Sequence, residues 1–206
     1  MRFCNMSNQV CSGSDIGYIT IDLYFLKNLT GYDPGVVALP YHLNPNYSVP
    51  DSLFPWEGVA DVTYAEHSAL HPKQYPRGSE EREHFTQTWL GEATGIIQTM
   101  INRAANGNYK SPNHAALTKG QYAPPGRKPN DTLGIYQEFY GLAFMVIQLE
   151  VRVDQPYQAF AHQDLLPLRG TGAYLNDTCC TDTAAFGYWN KPKTWYIPET
   201  YPYIFP

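Results

Sequence analysis

Positive charge is scarce in this chain and never gathers into a run. Lys and Arg number 14 against 19 Asp and Glu, giving a net charge of -5 over 206 residues. That balance leaves no electrostatic footprint for nucleic acid or for an anionic membrane surface. No apolar stretch approaches the roughly 20 residues that a bilayer span requires, so no membrane span is expected. No internal repeat or low-complexity segment is present. Cysteine is limited to Cys4, Cys11, Cys179 and Cys180. There is no Cys-x-x-Cys pair, and adjacent cysteines rarely ligate one zinc together, so neither a metal nor another cofactor is expected. A disulfide such as Cys4–Cys11, a tie between the two clusters, and free thiols all stay open. No cysteine opens a helix with a motif His behind it, which argues against a thiol peptidase or amidase. The opening residues Met1-Arg-Phe-Cys-Asn-Met lack the apolar core of a secretory signal. Synthesis in the cytoplasm is expected, with retention there or export by a route that needs no cleaved signal.

Tyrosine and proline, by contrast, are abundant at 17 each. Much of the chain should therefore be ordered loop. A weakly charged surface rich in aromatics suits a sugar or partner-protein groove, where ring faces stack and polar atoms hydrogen-bond. The length allows one domain with a real core. The expected division is an N-terminal strand and wrapping loop over 1–56, a helical core over 57–152, and a loop-and-strand part over 153–206.

In the first part Ile19, Ile21, Leu23 and Phe25 alternate with polar or aromatic partners, the period of a strand, with a short helix as competitor. Five prolines between Gly31 and Pro55 predict a loop wrapped over the surface. A first helix is predicted over about 57–70, stopped by Pro72. Ser79 followed by Glu80, Glu81 and Glu83 predicts the start of a second, running to about Ala105 and closing at Gly107. Its stripe of Phe85, Trp89, Ala93, Ile96, Met100 and Ala104, widened by Ile97 and Ile101, makes it the central helix. A turn of helix is predicted at 114–117. A third helix over 133–151, capped by Asp131 or Thr132, carries Leu133, Tyr136, Tyr140, Phe144 and Ile147. Strand-like pieces follow at 172–176 and 184–189. The fold class is mainly α (α+β).

One acid stands apart. At helical spacing Val59, Val62, Thr63, Glu66 and Leu70 share a face. An unpaired charge there costs several kcal/mol, unless the group keeps its proton. A carboxyl held neutral near pH 7 is what a general acid must be. The competing reading is an earlier helix end and a solvated Glu66. Glu92, on the edge of the central stripe, is the reserve acid. Asp61, Asp131, Asp164 and Asp177 are read first as solvated or capping acids. His67 and His71 lie four apart, but no third ligand is indicated and Pro72 disturbs the geometry, so His67 is read as exposed and no metal site is assigned.

The order Tyr64-Ala-Glu-His67, then Gly95-Ile-Ile-Gln-Thr-Met-Ile-Asn-Arg-Ala104, then Gly120-Gln-Tyr122, resembles the bacterial cell-wall hydrolases of the spore-cortex-lytic type, which are lysozyme-like peptidoglycan glycosidases. The resemblance covers about half the chain. It implies a lysozyme-like helical domain around a long central helix, with a small β-hairpin and long Pro-rich loops. It further implies Glu66 as catalytic acid, Asn102 and Arg103 as a helix-end pair, and Gln121 and Tyr122 as residues lining the groove. Gly172-Ala-Tyr-Leu-Asn176 echoes a further family segment and adds Tyr174 as a substrate contact, although the family's His is missing there. The insertion after Glu66 is longer than the family's.

The implied activity is cleavage of the peptidoglycan glycan strand by a muramidase or N-acetylglucosaminidase, hydrolytic or lytic. With no signal segment seen, a type VI secretion effector acting in a neighbour's periplasm, guarded by a cognate immunity protein, is preferred to a phage lysin. A non-catalytic sugar- or protein-binding module is the alternative.

Overall fold

The computed structural model describes residues 16–25, 27, 35–43, 50–67, 71–122, 125 and 133–149, together with the backbone of 159–162 and 184–187. Alternation wins at the start of the chain. Ile16–Asp22 forms strand β1, with Ile19 and Ile21 turned into the core, while Leu23 and Phe25 continue the buried row past the strand's end. The segment read as pure loop contains a second strand, β2, over Val36–His42. It pairs antiparallel with β1, setting Tyr18 opposite Pro40 and Thr20 opposite Ala38. Proline was the misleading residue. In a two-stranded sheet both strands are edges, so a residue without an N–H is tolerated. The Pro40 carbonyl still works, accepting a 2.6 Å bond from the Tyr140 hydroxyl.

Three helices of the core follow. Helix α1 runs Glu57–Glu66 and α2 runs Glu80–Ala105; the short α3 covers Pro112–Leu117. Helix α4 spans Ile135–Gln148. The start of α2 is as the sequence predicts. Ser79 is extended, and its hydroxyl accepts from the Arg82 N–H at 3.1 Å while Glu80, Glu81 and Glu83 occupy the first turn. Its far end turns at Gly107, whose φ of +78° few other residues adopt without strain. From Gly91 to Met100 every residue is buried, so α2 is wrapped all round instead of buried along one stripe. Trp89 sits at the centre, edge-on to Phe25 at 5.3 Å and to Phe139 of α4 at 5.4 Å.

Three boundaries differ from the periodicity, the simplest being the end of α4 at Gln148 instead of 151. Helix α1 stops at Glu66, because His67 turns extended with ψ 140°, and its ring packs against Phe139 at 4.6 Å. Helix α4 begins after Gly134, which holds the N-cap position in the left-handed region at φ +65°. Leu133 therefore lies outside the helix and is exposed, while Asp131 and Thr132 fall outside the described residues.

Close approaches join the elements. A Cβ on Gly58 would fall 2.7 Å from Leu117 of α3, and one on Gly141 would fall 2.6 Å from Leu23 and 3.1 Å from Ile21. The hairpin thus lies directly on α4. The short strands β3 (Ala159–His162) and β4 (Ala184–Gly187) pair antiparallel. The expected strand at 184–189 is there in part; its partner is 159–162, and the expected piece at 172–176 lies outside the described residues. The architecture is α+β, dominated by helix and with small antiparallel sheets. Among the described residues no helix is long and apolar enough to cross a membrane.

Candidate functional site

Glu66 at the end of α1 and Arg103 near the end of α2 both act on Tyr122, in the turn that follows α3. Glu66 is the last residue of α1 and is half-buried. It does not sit in the middle of an apolar stripe, as the longer helix had implied; that stripe ends with Val59, Val62 and Thr63, all buried. Arg103, in the last turn of α2, is only 5% exposed. Its guanidinium lies 4.7 Å from the centre of the Tyr122 ring. The same group donates to Gln121 Oε1 in a long contact of 3.4 Å.

Tyr122 ties these parts together. Burial pushes its phenol up to about 12, against the opposing pull of the Arg103 cation and the nearby Thr99 side chain; the charges of Tyr109 and Glu66 push it further up. Glu66 is therefore near enough for its charge to be felt at the phenol. Thr99 and Arg103 are four residues apart and share a face of α2. The loop reaches them through a tight turn, in which Gly120 has φ +81° and the Gln121 N–H donates to the Thr118 carbonyl at 3.2 Å.

Of the residues expected at the site, Glu66, Gln121 and Tyr122 converge, and Arg103 joins them. Asn102 is turned to its own helix, where its side chain accepts from Gln98 Nε2 at 3.0 Å. Tyr174 lies outside the described residues, as do Asp131, Asp164, Asp177 and the four cysteines. The reserve acid Glu92 is fully buried within α2 and is sealed from any substrate in this conformation. Asp61 is equally buried and accepts a 2.5 Å bond from the Tyr136 hydroxyl. His67, read as exposed, is half-buried on Phe139. No group of three or more His, Cys, Asp or Glu able to hold a metal ion occurs among the described residues.

Two further ionic groups were not anticipated. Glu57, fully buried at the N-terminus of α1, accepts from His42 N and His42 Nδ1, both at 2.6 Å, and from Phe54 N at 3.2 Å. A carboxylate suits that helix end because the macrodipole is positive there. Glu138, fully buried in the first turn of α4, stands 3.0 Å from His71 Nε2 and 3.0 Å from Lys73 Nζ. These are ion-pair distances without hydrogen-bond alignment at the carboxylate. His71 Nδ1 accepts from the Lys73 N–H at 3.2 Å, which leaves Nε2 to face Glu138. Lys73 Nζ also donates to the Gly134 carbonyl at 3.1 Å, fastening the chain beyond Glu66 to the start of α4. The spacing 138, 142, 145 that puts Glu138 on an apolar face carried the same signal that singled out Glu66.

Compared with known proteins, the chain matches no family model, no curated protein and no solved structure.

Proposed function

We propose that the protein is a peptidoglycan glycoside hydrolase with a lysozyme-like arrangement, in which Glu66 is the general acid. The observation that carries this reading is the position of Glu66. It is a half-buried carboxyl at a helix end, beside an aromatic loop residue whose ring is stacked on a buried guanidinium. Glycosidic cleavage needs a proton delivered to the leaving oxygen, with an oxocarbenium-like centre stabilised on the opposite side. Glu66 supplies the proton. Gln121 and Tyr122 offer an amide and a ring face to the sugar, a pairing that suits N-acetylated glycans. Asp61 and Glu92 are fully buried. The second group is then the substrate's own N-acetyl oxygen or an acid outside the described residues. A muramidase or N-acetylglucosaminidase, hydrolytic or lytic, fits this chemistry equally, and delivery as a type VI effector countered by an immunity protein belongs to the same proposal.

The test is digestion of isolated sacculi by the protein and by Glu66→Gln, with released muropeptides identified by mass. Loss of a general acid costs about 10²- to 10⁴-fold. The expected result is release by the parent, a loss of that size in the variant, and an unchanged thermal midpoint. Anhydro ends on the products would mark the lytic reaction, reducing ends the hydrolytic one. Equal release by both proteins removes Glu66 from the mechanism. No release by either leaves the non-catalytic module, which the outward face of the hairpin favours, with Tyr18 55% and Val36 65% exposed.

A further inference from the structure

We propose that Arg103 is the positioning residue of this site: one buried guanidinium holds both Gln121 and Tyr122 against the end of α1. The inference rests on the reading of Glu66 as the acid and extends it to the residue that builds the opposing wall.

A cation in the last turn of a helix is favourable even at an exposed position. That alone asks for no burial, and an exposed lysine would serve. Arg103 is instead 5% exposed, and taking a guanidinium from water must be offset by contacts a helix end does not provide. The contacts found lead away from the helix. Its Cζ lies over the Tyr122 ring, and its Nη1 reaches Gln121, the adjacent residue. A planar, delocalised cation can stack and donate at once, which an ammonium cannot. Thr99, one turn earlier on the same face, lies close enough to the Tyr122 phenol to influence it, while its hydroxyl donates to the Ile96 carbonyl at 2.7 Å. The ring therefore lies along the last turns of α2, held across its face by the guanidinium. The left-handed Gly120 brings the loop back to the helix. A loop held so firmly by one side chain is preorganised, and small misplacements of such groups cost activity steeply.

The variants are Arg103→Lys, which keeps the charge and loses the plane, and Arg103→Met, which loses both. Hydrogen exchange comes first because it needs no assumption about activity. Amides of 118–122 should exchange about tenfold faster or more in both variants, with α1 and α4 unchanged. Digestion of sacculi should then fall by about 10- to 100-fold, chiefly through KM for soluble glycan fragments, and lysine should not rescue it. Combining Arg103→Met with Tyr122→Ala should be little worse than either change alone, since both act through one contact. Unaltered exchange at 118–122, or an equal rise throughout the molecule, overturns the assignment, and so does full rescue by lysine. A dead Glu66→Gln with an unimpaired Arg103→Met sinks this inference alone. A fully active Glu66→Gln removes Glu66 as the acid and leaves the exchange result standing.

Discussion

Two regions of this molecule use carboxylates in opposite ways. In the interior, Glu57, Asp61, Glu92 and Glu138 are fully buried on helices. Where their partners are seen they bind elements together: Glu57 joins α1 to β2, Asp61 joins α1 to α4, and Glu138 joins α4 to the 71–73 turn. At the junction of α1 and α2, Glu66 is half-buried and its neighbours lie on a loop. An acid on an apolar helix face is thus mostly a tie between elements here. What separates the two is the C-terminal end of α1, since Glu57 at its N-terminal end is sealed. There the backbone turns away, the carboxyl keeps a route to solvent, and side chains from other elements can gather round it. A buried ion pair is costly to break and adds little over an apolar replacement, whereas an accessible acid can be exchanged for its amide with little effect on folding.

That contrast can be broken by measurement. The largest effect belongs to Glu66→Gln, whose loss of muropeptide release by about 10²- to 10⁴-fold should leave the fold intact. Next comes Glu138→Ala. It strands Lys73 and the buried His71, and should lower unfolding free energy by about 3–5 kcal/mol in denaturant titrations. If that variant were as stable as the parent yet inactive, the division between ties and tools would be wrong.

Gly141→Ala sharpens the structural side. The new methyl would press on Leu23 and Ile21. Overpacking costs about 1–3 kcal/mol, partly offset by alanine's better helix propensity of about 1 kcal/mol, so the net loss expected is about 1 kcal/mol. A gain in stability would mean that the hairpin can slide on α4. The smallest effect is one of pH. The Tyr122 phenol is raised from its ordinary 10.0 to about 12, chiefly by burial. Below pH 10 both folded and unfolded chains hold that proton. As the pH climbs from 10 towards 12 the unfolded chain loses it first, so this contribution to stability falls across that window. Tyr122→Phe should flatten that part of the curve, as read by unfolding at a series of pH values.

Much of the helical layout was legible in the residues. The cap at Ser79, the acidic first turn and the stripe through Trp89 and Met100 gave α2 its limits, because local chemistry sets a helix start and a long apolar run sets its burial. Pro40 hid β2, since the rule against proline in strands assumes neighbours on both sides. The end of α1 was missed because His67 leaves the helix to meet Phe139, a contact 72 residues away in sequence and invisible to any local period. The same limit concealed His42–Glu57 and His71–Glu138, which join residues that periodicity treats separately.

By itself the sequence determined that this chain is helix-rich and has a central helix from Ser79 to Gly107. Tertiary structure alone decided which helix acids are sealed in the core, that Glu66 is half-buried, and that Arg103 turns from its helix end to the Gln121–Tyr122 loop. Burial and charge pairing are properties of surfaces brought together from distant parts of the chain, and spacing along one helix does not encode them.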